Sequence, residues 1–321
     1  MPLQVPRPSS HEHLSVPPPI PSAPPDFRSG FVGIIGRTNV GKSTLMNQLV
    51  GQKIAITSPV SQTTRNRLRG ILTTDTGQIV FVDTPGIHKP HHELGRVLVA
   101  NSQRTLELVD VLLFIVDGSS PIGGGDRYVA QMLATQKTPV ILGINKSDAQ
   151  PPKSTQLDEG YFAIAKARQW SCFKFSALTG DGLATLLAKL MGQLTVGPYY
   201  YPPELITDQP ERLIMAELIR EQIILLTRQE IPHSVAIQIE KIETTPKMTR
   251  IHAVINVERS SQKGIIIGQK GTMLKKIGTQ ARAQISKLIG GNVFLQLFVR
   301  VQNKWRESQA QLAEFGYSLD R

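Results

Sequence analysis

Cysteine is nearly missing. One residue, Cys172, stands in 321, so no disulfide can form within the chain, and a reducing cytosol suits it. Its place in a short apolar run marks a buried, inert thiol. Long apolar runs are missing too: stretches such as Val111 to Val116 fall far short of the roughly 20 residues a membrane span requires, which excludes an integral membrane segment. Residues 1–25 lack the apolar and Arg-rich patterns of targeting peptides and hold nine of the 22 prolines. They exclude a secretory signal and read as a disordered, polyproline-like extension over 1–26. Acidic side chains are missing from one stretch, residues 259–306, which carries ten Lys or Arg and no Asp or Glu, while the rest of the chain is nearly balanced. Almost all of the net charge of +11 therefore sits there, as expected of a surface that binds a phosphate backbone.

What is present begins with Gly36-Arg37-Thr38-Asn39-Val40-Gly41-Lys42-Ser43, a complete G-x-x-x-x-G-K-[ST]. It follows the apolar run Phe31 to Ile35 and opens a helix-like stretch at Thr44, the context of a nucleotide phosphate loop. Gly36 and Gly41 let the backbone curl so that amides face the β-phosphate, Lys42 reaches the β and γ oxygens, and Ser43 gives an oxygen to Mg²⁺. Asp83-Thr84-Pro85-Gly86 ends the run Gln78 to Val82, where Asp83 holds Mg²⁺ through water and the Gly86 amide senses a γ-phosphate. Between the two lies Gln62-Thr63-Thr64-Arg65. A Thr hydroxyl here completes the Mg²⁺ shell, Thr64 being the first choice and Thr63 the second.

Asn145-Lys146-Ser147-Asp148 closes the run Pro139 to Ile144. Asp148 accepts hydrogen bonds from the guanine N1 and N2 groups, a pattern adenine cannot offer, so the motif selects GTP and GDP over ATP. Asn145 and Lys146 brace the phosphate loop and flank the base. Ser176-Ala177-Leu178, after the short strand Phe173 to Phe175, presents the Ala177 N–H to guanine O6. Hydrolysis has a weaker signature: the residue after Gly86 is Ile87, which cannot orient water as a Gln does, so slow turnover is expected. Asn39, at the loop position of the potassium ligand of related GTPases, is the expected holder of K⁺ near the β and γ phosphates, with Arg37 as the competing charge donor. Asn39, Lys42, Thr64 and Gly86 are thus the candidate catalytic residues. His88, His91 and His92 have only Glu93 nearby to complete a ligand set, and Pro90 argues for a solvent-facing loop rather than a metal site.

From Phe31 to Met191 apolar runs alternate with helix-like stretches, including 126–135 and 183–194, the pattern of an α/β domain. Uniformly apolar strands predict a mainly parallel sheet covered on both faces, with the motifs on loops at or beside strand ends. The nucleotide-binding domain is expected over 27–195, a linker over 196–211 and a second domain over 212–321. Tyr199, Tyr200 and Tyr201 in the linker either pack against a domain or form an RNA platform. The second domain reads as helix 213–227, strands 235–242 and 250–257, a glycine loop, helix 273–289 and strand 293–301. Its loop, Ile265 to Gly271, holds the G-x-x-G of a KH module, which clamps about four single-stranded nucleotides. Gly268 and Gly271 allow close phosphate approach around Gln269, and Lys270 supplies charge with Lys263, Lys275, Lys276 and Arg282. Ile265, Ile267 and Ile277 line an apolar groove or belong to the core.

On these residues, together with Ile206-Thr207-Asp208 and Lys263 to Gly271, the chain from 27 to 321 resembles the Era family of GTPases. The resemblance implies a Ras-like, six-stranded G domain followed by a type II KH domain, and GTP hydrolysis with Mg²⁺. It further implies assembly of the small ribosomal subunit by binding near the 3′ end of 16S rRNA. A cytoplasmic monomer with peripheral association at the inner membrane is expected. The Pro-rich start departs from the family's compact one. Two rival readings are an RNA-binding protein whose G domain is structural and a GTPase that assists tRNA modification.

Overall fold

The computed structural model describes residues 20–57, 68–83, 86, 106–151, 155–227 and 231–317. Thr63, Thr64, Thr84, Pro85 and the three histidines from 88 to 92 lie outside them.

The first sheet is made of β1 (Arg28–Ile35), β2 (Leu68–Thr74), β3 (Gly77–Asp83), β4 (Val111–Asp117), β5 (Val140–Asn145) and β6 (Ser171–Lys174), in the order β2-β3-β1-β4-β5-β6. Only β2 runs antiparallel to its neighbour. The inner strands β3, β1, β4 and β5 are mostly apolar because successive side chains feed two different cores, while the edge strands β2 and β6 carry polar, partly exposed residues. In β4, Leu113 and Ile115 pack with Leu45 and Met46 of α1 (Lys42–Val50) and with Leu186 and Leu190 of a later helix, residues 183–193. Leu112, Phe114 and Val116 face Val129 and Leu133 of α2 (Gly124–Leu133) and Tyr161 of α3 (Thr155–Arg168). The later helix is α4 (Leu183–Gln193). Strand register sets Ile34 beside Asp83 and Asp117 beside Asn145, so the strand ends that carry the motifs share one rim.

Helix α3 is absent from the sequence reading. Tertiary packing supports it: Tyr161 and Asp158 are buried, and a side chain at Gly160 would meet Ile122 at 2.6 Å. Cys172 is half-buried in β6, and burial pushes its thiol up to about 12, which keeps it protonated and inert.

The linker is bound to the G domain along its length. Val196 bridges to Arg28, Ile71 N–H donates to the Ile206 carbonyl at 2.8 Å, and Thr207 Oγ1 donates to the Arg69 carbonyl at 2.6 Å. Tyr199 packs on Phe27 with ring centroids 4.3 Å apart and Tyr200 on Phe31 at 4.9 Å, while Tyr201 donates its hydroxyl to Asp208 at 2.9 Å. Packing against a domain is therefore what these tyrosines do.

Beyond the linker come α5 (Glu211–Leu226), α6 (Ile231–Ser234), β7 (Ala236–Thr245), β8 (Met248–Val257), α7 (Ser260–Ile267), α8 (Thr272–Ile289), β9 (Val293–Val301) and α9 (Gln309–Glu314). The sheet order is β7-β8-β9, with β8 and β9 parallel. Helices α5 and α8 bury Ile219, Ile223, Ile277 and Ile285 against one face. On the other face Trp305, Leu312 and Phe315 cover Ala236. Helix α7 replaces the loop expected ahead of G-x-x-G. Its β-branched Ile265 to Ile267 look strand-like, yet Gln262 Oε1 accepts the Glu258 and Arg259 N–H groups at 2.9 and 3.1 Å and starts the helix. Ile277 is fully buried core, not groove lining, because α8 turns that side toward the sheet.

Candidate functional site

The phosphate loop spans the step from β1 to α1. Asn39 and Gly41 sit at φ +65° and +100°, the left-handed region that Asn tolerates and Gly favours. A side chain at Gly36 would strike the Ile115 carbonyl, and one at Gly41 the Asn145 amide. Lys42 is buried inside the curl, its Nζ donating to the Gly36 and Arg37 carbonyls at 3.2 and 2.7 Å. Desolvation lowers its pKa to about 8. Ser43 Oγ donates to Asp83 Oδ2 at 3.0 Å, which joins the first two motifs. Gly86 lies against the loop, where a side chain would meet Thr38 N at 2.8 Å. Arg37 is about one-third exposed and holds buried Asp126 through its Nε at 2.6 Å, and Asp126 also accepts the Gly123 N–H at the start of α2.

The base end is assembled around Asn145. Its Nδ2 donates to the Val40 carbonyl at 2.8 Å, and its Oδ1 accepts the Ala177 N–H at 2.8 Å, so one buried amide ties three motifs together. The Ala177 N–H is therefore already engaged, and guanine O6 would have to share it. Lys146 pairs with Asp117 at the end of β4. Exposed Asp148 accepts from Ser176 Oγ at 2.5 Å, and Leu178 beside it is 74% exposed. Val40 is core, while Thr44 sits half-buried in the first turn of α1.

A second constellation lies where α7 meets α8. Gly268, Lys270 and Gly271 have φ of +71°, +52° and +79°, and a side chain at Gly268 would reach Met273 N at 2.9 Å. The loop leads into a groove of about 480 Å³ between α8 and the outer edge of β9. Of the expected residues, Gly271, Lys275 and Arg282 line it. Gln269, Lys270 and Lys276 are exposed nearby, and Lys263 and Ile267 are half-buried on α7. The sequence reading missed Leu274, Gly278, Thr279 and the β9 stretch 294–297, which complete the wall. Helical spacing from Gly271 through Lys275 to Gly278 was the available signal.

The two constellations are joined. The segment leaving α1 toward residues 58–67 is held by Glu221 of α5, a carboxylate only 1% exposed. Its Oε2 accepts from Lys53 Nζ at 2.6 Å and its Oε1 from the Thr57 N–H at 2.8 Å, while Ile56 is buried in the core of the second domain.

Residues 31–146 match the model of the 50S ribosome-binding GTPase family, and residues 230–306 that of the KH domain. The chain is 67% identical to GTPase Era of Crocosphaera subtropica and 66% identical to that of Rippkaea orientalis, each over 94% of this chain and 96% of the relative. The chain belongs to the Era family of GTPases. Among solved structures it superposes with TM-score 0.88 and 37% identity on Era in complex with MgGDPNP and nucleotides 1506–1542 of 16S ribosomal RNA, covering 91% of this chain and all of that one. A variant of Aquifex aeolicus Era bound to GDP and aluminium fluoride superposes at TM-score 0.87, again at 37% identity and with the same coverage. As an Era-family protein the chain is a GTP hydrolase with a P-loop domain and a KH domain. No helix among the described residues is long and apolar enough to cross a membrane.

Proposed function

We propose that this Era-family GTPase assembles the small ribosomal subunit by holding single-stranded RNA near the 3′ end of 16S rRNA in the groove beside Gly268 to Gly271, with a grip that depends on the bound nucleotide. The clamp of Glu221 on Lys53 and Thr57 carries the reading. It makes the segment that enters the Thr63–Thr64 loop a part of the KH domain's packing, and Lys53 Nζ also donates to Gln284 of α8 at 3.1 Å, so a change at the γ-phosphate reaches the RNA groove through these contacts.

In this reading 27–195 is the catalytic domain, 196–211 the linker and 212–321 the RNA-binding domain. Backbone amides from Gly36 to Thr44 and the Lys42 ammonium hold the phosphates. Asp148 reads guanine, with Asn145, Lys146 and Ser176 to Leu178 shaping its pocket. The hydroxyl of Ser43 and the carboxylate of Asp83, 3.0 Å apart, are the hard oxygen donors that Mg²⁺ requires, and Thr64 or Thr63 completes the set with Asp83 to Gly86 around it. Mg²⁺, when bound, neutralises charge on the β and γ oxygens. Ile87 offers no group to orient water, so exposed, left-handed Asn39 is assigned to a K⁺ that aids hydrolysis. A ribosomal RNA substrate fits a cytoplasmic location, and the basic KH face suits peripheral association with an anionic inner membrane.

The test is RNA affinity with GDP and with a nonhydrolysable GTP analogue, in the parent chain and in Glu221→Gln. The parent is expected to differ between nucleotides by about tenfold or more, the size of an ordinary coupling, and the variant to lose that difference. Equal affinities in the parent would end the reading.

A further inference from the structure

The face of the KH sheet turned away from its helices is open over part of its area. Along β9, Leu295, Leu297 and Val299 pack inward beside α8, so alternation sends Phe294, Gln296, Phe298 and Arg300 to the opposite face. There Phe294 lies next to Arg250 of β8 and Phe298 next to Val254. The C-terminal segment around Trp305 covers the part of this face near Ala236. Phe294 and Phe298 remain 47% and 52% exposed. Two half-exposed phenylalanines on one strand are an unusual surface, because large apolar rings gain more from burial than most side chains.

We propose that this face is a second RNA contact, on which bases stack against Phe294 and Phe298 after the strand leaves the groove. The inference rests on the groove taking RNA. Continuity argues for it: β9 is the outer strand of its sheet, and Phe294 lines the groove as well as the open face. A single strand that rounds this edge meets Phe294 first and Phe298 four residues on, about 13 Å away at the rise of a strand, far enough apart to hold separate bases. Charge agrees. The carboxylates of the face, Glu240 and Glu243, are bound to Arg300 and Lys241, which leaves the surplus with Arg250 and favours a polyanion. Aromatic rings that stack bases without reading their sequence suit a strand whose register is set elsewhere, in the groove.

The experiment compares Phe298→Ala, Phe298→Trp and Phe294→Ala with the parent full-length chain loaded with a GTP analogue. Binding is measured to an RNA of about four nucleotides, the length a G-x-x-G loop clamps, and to one of about a dozen that contains it. Phe298→Ala is expected to lose about tenfold affinity for the longer RNA, the order of one stacked base, with the short RNA and the thermal midpoint unchanged. Phe298→Trp is expected to retain full affinity. Parent affinity of both alanine variants for the longer RNA overturns the proposal, as does equal loss of Phe298→Ala on both RNAs. If the parent binds neither RNA, the groove itself is wrong and this inference falls with it.

Discussion

At the scale of single residues, the site combines buried polar groups such as Lys42, Asp83 and Asn145 with exposed ones such as Asn39 and Asp148. Lys42 shows the cost of burial. Its ammonium titrates near 10.5 when unfolded and at about 8 when folded, so between those values the unfolded chain binds more protons and stability at this group rises with pH. A bound phosphate reverses the cost by supplying the missing counter-charge. GTP binding at about pH 9 is therefore expected to take up a proton, read by calorimetry in buffers of different ionisation heat. Binding without uptake, or uptake that persists in Lys42→Met, would refute this. Asp148 carries a second prediction. Each hydrogen bond to a charged acceptor contributes about 1.5–3 kcal/mol, so Asp148→Asn should weaken GTP by about a hundredfold or more, with ATP unchanged. Equal loss of both nucleotides would point to misfolding instead.

Secondary-structure elements are where the sequence was read with uneven success. The inner strands of the G domain were legible because both faces are buried and their apolar runs have no rival interpretation, and in the second domain β9 was found to the residue. Helix α3 was not, since its support comes from Ile122 and from the sheet rather than from its own periodicity. Helix α7 was missed for the opposite reason: three consecutive isoleucines favour a strand locally, and only Ile266 of them is fully buried. The G-x-x-G turn between α7 and α8 separates strain from crowding. Gly271 has a left-handed φ and no atom within 4 Å of an added side chain, so Gly271→Ala should cost about 1–2 kcal/mol in denaturant unfolding. Gly268→Ala should cost more, because it must also displace Met273. The reverse ranking would show the turn to be wrongly described. In the C-terminal segment, fully buried Trp305 donates Nε1–H to the Ser234 carbonyl at 3.0 Å. Trp305→Ala is expected to cost about 3–5 kcal/mol, and a loss under 1 would mean the segment is not docked.

For the whole molecule, the question is how two domains with separate sheets act as one. Glu221 answers it with a buried carboxylate that accepts two hydrogen bonds, and the linker adds Asp208, paired with Arg69 of β2. Glu221→Gln keeps the shape and removes the charge, so it should speed hydrogen exchange at Ile54 to Thr57 while leaving β4 and β5 protected. Unchanged exchange in that segment would show that the domains are held elsewhere.

The sequence by itself determined the motifs: phosphate loop, guanine specificity, the G-x-x-G turn and the basic stretch follow from local backbone rules and charge, which need no knowledge of distant neighbours. Tertiary structure alone decided which groups meet across the chain. It gave Arg37 to Asp126, the Ala177 amide to Asn145, Ile277 to the core and Lys53 to Glu221, and it opened one side of β9 while closing the other. Such pairings depend on packing between elements far apart in sequence, where no periodicity or spacing carries the information.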